Sequence, residues 1–167
     1  MRYVVREKFF HLGEDSTITD ESGRPLYIAD GKVFSIRNTV VLKDLRGNEL
    51  VTIKKQLLAL GLTYHVTRHG QESAVIRKKI FSPFIDRYTV DIPGPDDLSV
   101  TGSLLEHNFT ISRGGQPVAS VSKRWVSLTE SYGVETAPGE DDILILATVI
   151  AMDLAEDQEE RNRASGA

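Results

Sequence analysis

The chain has 167 residues, 26% of them charged and 40% hydrophobic, with 24 acidic against 20 basic side chains and no cysteine. That length suits one domain with a substantial core. The net charge of −4 argues against a nucleic-acid binder, and the missing thiols exclude disulfides, thiolate nucleophiles and Cys-based zinc or iron–sulfur centres.

The opening "MRYVVREKFFHLGED" is no signal peptide, because Arg6, Glu7 and Lys8 interrupt any apolar core. From there to Pro138 the text is β in character. Short apolar or alternating segments predict strands near 3–10, 15–20, 25–30, 33–36, 39–44, 49–56, 62–68, 73–81, 86–92, 98–104, 107–112, 117–126 and 130–136. Turn residues separate them at "DESGRP", "RGN", "RHGQ", "IPGPDD" and "RGGQP", where Gly supplies positive φ and Asp, Asn or Ser bonds back to local backbone. An apolar-x-Asp-x-x-Gly form occurs twice, at Ile18 to Gly23 and at Leu42 to Gly47, and reads as one kind of hairpin made twice.

Pro138-Gly139 ends the last strand, and Glu140, Asp141 and Asp142 supply capping oxygens and negative charge for a helix N-terminus. From Ile143 to Met152 every position is apolar except Thr148, whose hydroxyl can bond the carbonyl of Leu144. The run is about half of the ~20 residues needed to cross a bilayer. A helix apolar on every side must be enclosed on every side. With only strands available to enclose it, the expected fold is mainly β: a closed antiparallel barrel of about twelve strands around a central hydrophobic C-terminal helix, wider than an eight-stranded barrel that holds little beyond its own side chains. Ile143, Leu144, Ile145, Leu146, Val149, Ile150, Met152 and Leu154 would contribute roughly 12–24 kcal/mol of gross burial, against a typical net stability of ~5–15 kcal/mol. The expected organisation is therefore one barrel domain over 1–155 with a plug helix at about 140–155, followed by a polar, disordered tail at 156–167.

Three stretches carry a resemblance to a known family: "YVVREKFFHLGEDSTITDESGRPLYIADGKVFSI", "LKDLRGNELVTIKKQLLALGLTYHV" and "VASVSKRWVSLTESYGVETAPGEDDILILATVIAMD". Over residues 2 to 154 the chain resembles the LURP-one-related family of the Tubby C-terminal-like superfamily. The order and spacing of the pieces carry the likeness, not a catalytic signature. The resemblance implies a twelve-stranded barrel around a central hydrophobic helix. It also implies a range of roles: plant defence among family members, phosphoinositide binding and transcriptional regulation among Tubby-type relatives. No motif carries those roles over residue by residue. The scramblase relatives' calcium-binding segment has no counterpart here, since no Asp-rich EF-hand-like loop occurs.

Basic residues gather at Lys54-Lys55, Arg77-Lys78-Lys79 and Lys123-Arg124, late in three expected strands. Neighbouring strand ends would make them one cationic patch for an anionic head group or phosphate, with Phe81, Phe84 and Trp125 beside it. The plainer reading is a set of solvated faces that keep sheet edges from aggregating. His65 and His69 are too far apart along a strand to share a metal, and neither His11 nor His107 is tied to them by spacing, so no metal or other cofactor is expected. Asp20 and Asp44 are turn formers; Asp86, Asp91, Glu106 and Glu130 have no predictable pairing for acid–base work. There is no G-x-S-x-G elbow, Walker A loop or G-x-G-x-x-G. Tyr132 and Trp125 are expected to pack at the barrel wall or rim.

The expectation is a non-enzymatic binding or scaffold domain, cytoplasmic and monomeric, recognising an anionic lipid head group or phosphorylated ligand. The alternatives are a protein–protein interaction module without a small ligand, and an enzyme working at a barrel rim.

Overall fold

Two Asp–Gly turns shape the first hairpins. Asp20 accepts from the N–H groups of Ser22 (2.9 Å) and Arg24 (3.0 Å), the Ser22 hydroxyl (2.6 Å) and Arg24 Nε (2.8 Å). Asp44 repeats the arrangement with the N–H groups of Arg46 and Asn48 (2.9 Å each) and Asn48 Nδ2 (2.8 Å). Gly23 and Gly47 follow at φ of 83° and 88°, a conformation that favours glycine. The repeated form in the sequence is thus one turn built twice.

The Asp20 carboxyl is held down at a pKa of about 2. The Ser22 hydroxyl bond contributes most; burial opposes it, and the bonds from Arg24 and the Ser22 N–H add to it. A carboxylate with a depressed folded pKa stabilises the fold above its unfolded value, near 4, and loses that contribution as pH falls toward the folded value. Stability is therefore expected to drop between about pH 4 and pH 2. Asp20→Asn should flatten that acid limb in urea melts run across pH. A limb of unchanged steepness would assign it to other carboxylates.

The computed structural model describes residues 1–6, 15–31, 38–58, 61–79, 86–103, 108–122 and 131–166. Among them are twelve strands: β1 (Arg2–Arg6), β2 (Ser16–Thr19), β3 (Pro25–Asp30), β4 (Thr39–Asp44), β5 (Glu49–Leu58), β6 (Gly61–Arg68), β7 (Gln71–Lys79), β8 (Asp86–Asp91), β9 (Leu98–Ser103), β10 (Asn108–Arg113), β11 (Gln116–Ser122) and β12 (Ser131–Thr136). The further strand expected at 33–36 lies outside the described residues. Each strand pairs antiparallel with its sequence neighbours, and β1 closes the barrel against β12 with Arg2 opposite Glu135 and Arg6 opposite Ser131.

Alternation along the strands decides what faces inward. Val51 and Ile53 of β5, Tyr64 and Val66 of β6, Ala74 and Ile76 of β7, and Tyr88 and Val90 of β8 are all buried, with more exposed residues between most of them. The one helix among the described residues, α1 (Asp142–Ala164), runs through this interior. Every residue from Leu144 to Asp157 is buried, so the helix has no wet face over that length. Asp141 caps its start by accepting from Leu144 N–H (3.1 Å), and Thr148 Oγ1 donates to the Leu144 carbonyl (2.9 Å).

Three strands clamp the entrance. Arg68 of β6 donates to Asp141 (2.7 Å), Arg113 of β10 to both oxygens of Glu140 (2.9 Å each), and the Tyr3 hydroxyl of β1 to Asp142. Burial, then the bond to Asp142, pushes the Tyr3 phenol well above its ordinary pKa.

The helix does not stop at about 155. It continues to Ala164, through the segment expected to be disordered. Ion pairs one turn apart support the extension, Asp157 with Arg161 (3.1 Å) and Glu159 with Arg163 (3.7 Å), as does a Gln158–Asn162 hydrogen bond (3.0 Å). Arg161 and Arg163 also lie in the last turn, where cations suit the helix dipole. Polarity in this segment serves a helix that leaves the barrel.

Candidate functional site

The pleat of β5 and β7 divides the expected basic cluster between two sides of the barrel wall. Lys55 and Lys78 continue the inward rows of Val51–Ile53 and Ala74–Ile76, while Lys54, Arg77 and Lys79 are exposed on the outside. Lys123 and Arg124 lie outside the described residues. The strand before them, β11, is four places from β7 around the ring, so its end does not adjoin the other two.

The inward pair reaches the mouth through which α1 emerges. Lys55 Nζ donates to Gln158 Oε1 and Lys78 Nζ to Glu159 Oε1, both at 2.6 Å. The Lys78 side chain is only 10% exposed, and its ammonium lies 5.8 Å from the centre of the Tyr88 ring. Burial pulls the Lys55 pKa below its ordinary value and Arg161 adds to the effect, with Asp157 opposing. With Gly61, Leu62 and Asn162, these four side chains line a cavity of about 300 Å³.

Behind the mouth the interior turns polar. Asp153, Glu156 and Asp157 of α1 are buried, as are Tyr64, Tyr88 and Tyr132. The Tyr64 hydroxyl has no hydrogen-bond partner among the described residues. Its pKa is pushed up, first by burial and then by the carboxylates of Asp157, Glu159 and Asp153. Buried carboxylates require compensation by cations or donors. For Asp157, Arg161 one turn along the helix (3.1 Å) and Lys55 of β5 answer that requirement.

On the outer wall, Arg77 is paired with Asp91 of β8. Lys79 stands directly opposite Arg87 of β8, and both are exposed. Lys54 faces His65 across the β5–β6 pair. His65 is held by Glu72 (2.6 Å) and Gln56 (2.7 Å), and His69 sits in the next turn at φ 48°. Among the described residues no three His, Cys, Asp or Glu side chains converge as a metal site. His11, His107, Glu106, Glu130, Phe81, Phe84 and Trp125 lie outside the described residues.

Sequence reasoning passed over Arg87, because its partnership with Lys79 depends on strand register. It also passed over Gln158, Glu159 and Asn162, which belonged to the segment read as a tail. The spacing of Asp157 to Arg161 and Glu159 to Arg163 was the available signal for helix there.

A closed meander of twelve antiparallel strands threaded by its own C-terminal helix has the Tubby C-terminal-like architecture. The chain belongs to the LURP-one-related family, whose model matches residues 1–153. It is 25% identical over 150 residues to the uncharacterised protein YxjI of Bacillus subtilis (strain 168), an alignment covering 90% of each chain. It is similar in fold to an X-ray structure of a protein from Arabidopsis thaliana, with a TM-score of 0.68 and 19% identity over 95% of this chain and 90% of that one. No helix among the described residues is long and apolar enough to cross a membrane.

Proposed function

We propose that the chain is a non-enzymatic cytoplasmic binding domain that docks reversibly on anionic lipid head groups through the outer wall of β5, β7 and β8. The observation that carries this reading is the Lys79–Arg87 pair. Side chains directly opposite across antiparallel strands are about 5 Å apart at Cβ, and like charges in that position destabilise a sheet. Two exposed cations held face to face, with Lys54 and Arg77 on the same wall, make a surface better suited to an anionic plane than to the fold's own stability.

A basic residue close to an anionic leaflet contributes about 1 kcal/mol, and the attraction decays within a Debye length. Four cations, with Asp91 and Glu72 opposing them, would give weak, salt-sensitive binding. The helix occupies the space in which a wide barrel would otherwise hold a ligand, so recognition falls to the wall and rim.

Co-sedimentation with phosphatidylcholine vesicles, with and without phosphatidylserine, tests the proposal at low and physiological salt. Binding is expected only with phosphatidylserine, weaker at higher salt, and lost in Lys54→Glu/Lys79→Glu/Arg87→Glu while the variant melts like the wild type. Absence of binding at low salt would overturn the lipid reading and direct attention to protein partners.

A further inference from the structure

A groove of about 430 Å³ lies on the outside of β5 and β6, toward the turn that joins β6 to β7. Strand register sets the order of its polar residues. Lys54 stands at one end, Thr52 and Thr67 face each other directly at the middle, and Glu49 and His69 stand at the turn end. The side chains of Lys54, Thr52, Thr67 and His69 make no hydrogen bond or ion pair among the described residues. Glu49 makes none either. Lys43, directly opposite it on β4, gives its ammonium to Asp30 at 2.9 Å and feels Glu49 only through its field. The neighbouring polar groups on this wall are paired, His65 with Glu72 and Gln56. The groove is thus a run of uncommitted polar side chains, and its volume is within the range of small-molecule sites.

His69 is the second observation. The two-residue turn His69-Gly70 has positive φ at both positions, 48° and 76°. A turn of this kind favours Asn-Gly or Gly-Gly, and its left-handed backbone costs a histidine more than a glycine. Turn chemistry alone does not call for an imidazole here, yet the imidazole lines the groove. Backbone strain of this sort collects at binding sites. The charges are also ordered. An ammonium lies at one end and a carboxylate at the other, so a plain anion drawn to Lys54 meets Glu49 as a repulsive group. A molecule with an anionic end and a cationic end meets both favourably.

We propose that this groove binds the head group of phosphatidylserine, with the phosphate at Lys54 and the threonine hydroxyls, the serine ammonium at Glu49 and the serine carboxylate at His69. The inference rests on the docking reading for the membrane source of the head group, and Lys54 belongs to both surfaces. Phosphatidylserine and phosphatidylglycerol carry the same net charge, so the cations of the outer wall cannot tell them apart. Only the serine head group brings an ammonium for Glu49. Glu49 would therefore act as a selector, costing attraction to anionic lipid in general and returning it for one head group.

The test is an NMR titration of the full chain with glycerophosphoserine and with glycerophosphoglycerol, the same phosphodiester without ammonium or carboxylate. The backbone amides of Thr52, Thr67, His69 and Gly70 are expected to move to saturation with the first and little with the second. Glu49→Gln should weaken glycerophosphoserine by about two- to fivefold, what an exposed ion pair supplies, and leave glycerophosphoglycerol no weaker. His69→Gly should weaken glycerophosphoserine while melting no lower than the wild type, because glycine takes this turn without strain. No response, an equal response to the two ligands, or unchanged glycerophosphoserine affinity in either variant would overturn the proposal. In co-sedimentation, vesicles containing phosphatidylserine should bind more of the protein than vesicles with as much phosphatidylglycerol, and Glu49→Gln should erase the difference. Equal binding to the two vesicles would overturn serine recognition and spare the docking surface. No vesicle binding, with the glycerophosphoserine response intact, would instead overturn the docking surface and with it the lipid as the source of the head group.

Discussion

A chain ending at Glu140 is expected to show no cooperative thermal transition. All twelve strands remain in it, so propensity and turn chemistry are intact. What it lacks is the filling of the barrel. Leu144, Ile145, Leu146, Val149, Ile150, Met152 and Leu154 are all buried, and burying seven such side chains is worth roughly 10–21 kcal/mol gross. The net stability of a domain is ~5–15 kcal/mol. The loss extends further, because inward residues such as Val66, Ile76 and Val90 would line an empty space too wide to collapse without breaking strand pairs. Far-UV circular dichroism on heating would follow a broad drift, and exposed apolar surface would bind a hydrophobic dye before heating. A sharp, reversible melt would mean that the sheet closes on itself without the helix.

Gly102→Ala is expected to destabilise the protein by about 2–6 kcal/mol, from overpacking and backbone strain together. Gly102 lies in β9 at φ 154°, opposite Phe109 of β10. A Cβ there would stand 2.3 Å from Phe109 Cβ, 2.4 Å from the Asn108 carbonyl oxygen and 2.5 Å from Phe109 Cα. None of these atoms is the free end of a side chain, so no rotamer change relieves the contact. The two strands would have to part, beside a phenylalanine that packs into the core. Gly70→Ala is the matched control: φ is 76°, but nothing lies within 4 Å of the added carbon. Its cost should be only the ~1–2 kcal/mol of the left-handed conformation. Equal midpoints for the two variants in urea denaturation would contradict the close packing of β9 on β10.

Features set by adjacent residues were legible in the sequence. The Asp20 and Asp44 turns depend on side chains within four positions, and they formed as expected. The plug helix was legible because its apolar run has one physical solution among strands, and Asp141 and Thr148 took the bonds anticipated for them. The basic residues were harder to place. Lys54 and Lys55 are neighbours in the chain, yet strand alternation sends them to opposite sides of the wall, and only Lys55 reaches the mouth. The placing of Lys79 opposite Arg87 depends on the offset between β7 and β8, which no local signal fixes. The helix end was misjudged for a different reason. Acidic residues usually indicate solvent, but Glu156 and Asp157 are buried, and Asp157 lies close enough to Tyr64 of β6 to act on its hydroxyl.

The threaded barrel also constrains how the molecule can be made. The helix that fills the core follows all twelve strands in the chain, and the seam between Arg2 and Glu135 joins the first strand to the last. During synthesis each hairpin can form as it leaves the ribosome, but none can bury its inner face until α1 has emerged. Contacts so distant in sequence slow folding and leave apolar strand faces exposed meanwhile. Natively folded chains should therefore appear only after the helix is released, and the interval before release is when a chaperone or a neighbouring nascent chain has its greatest hold on the protein.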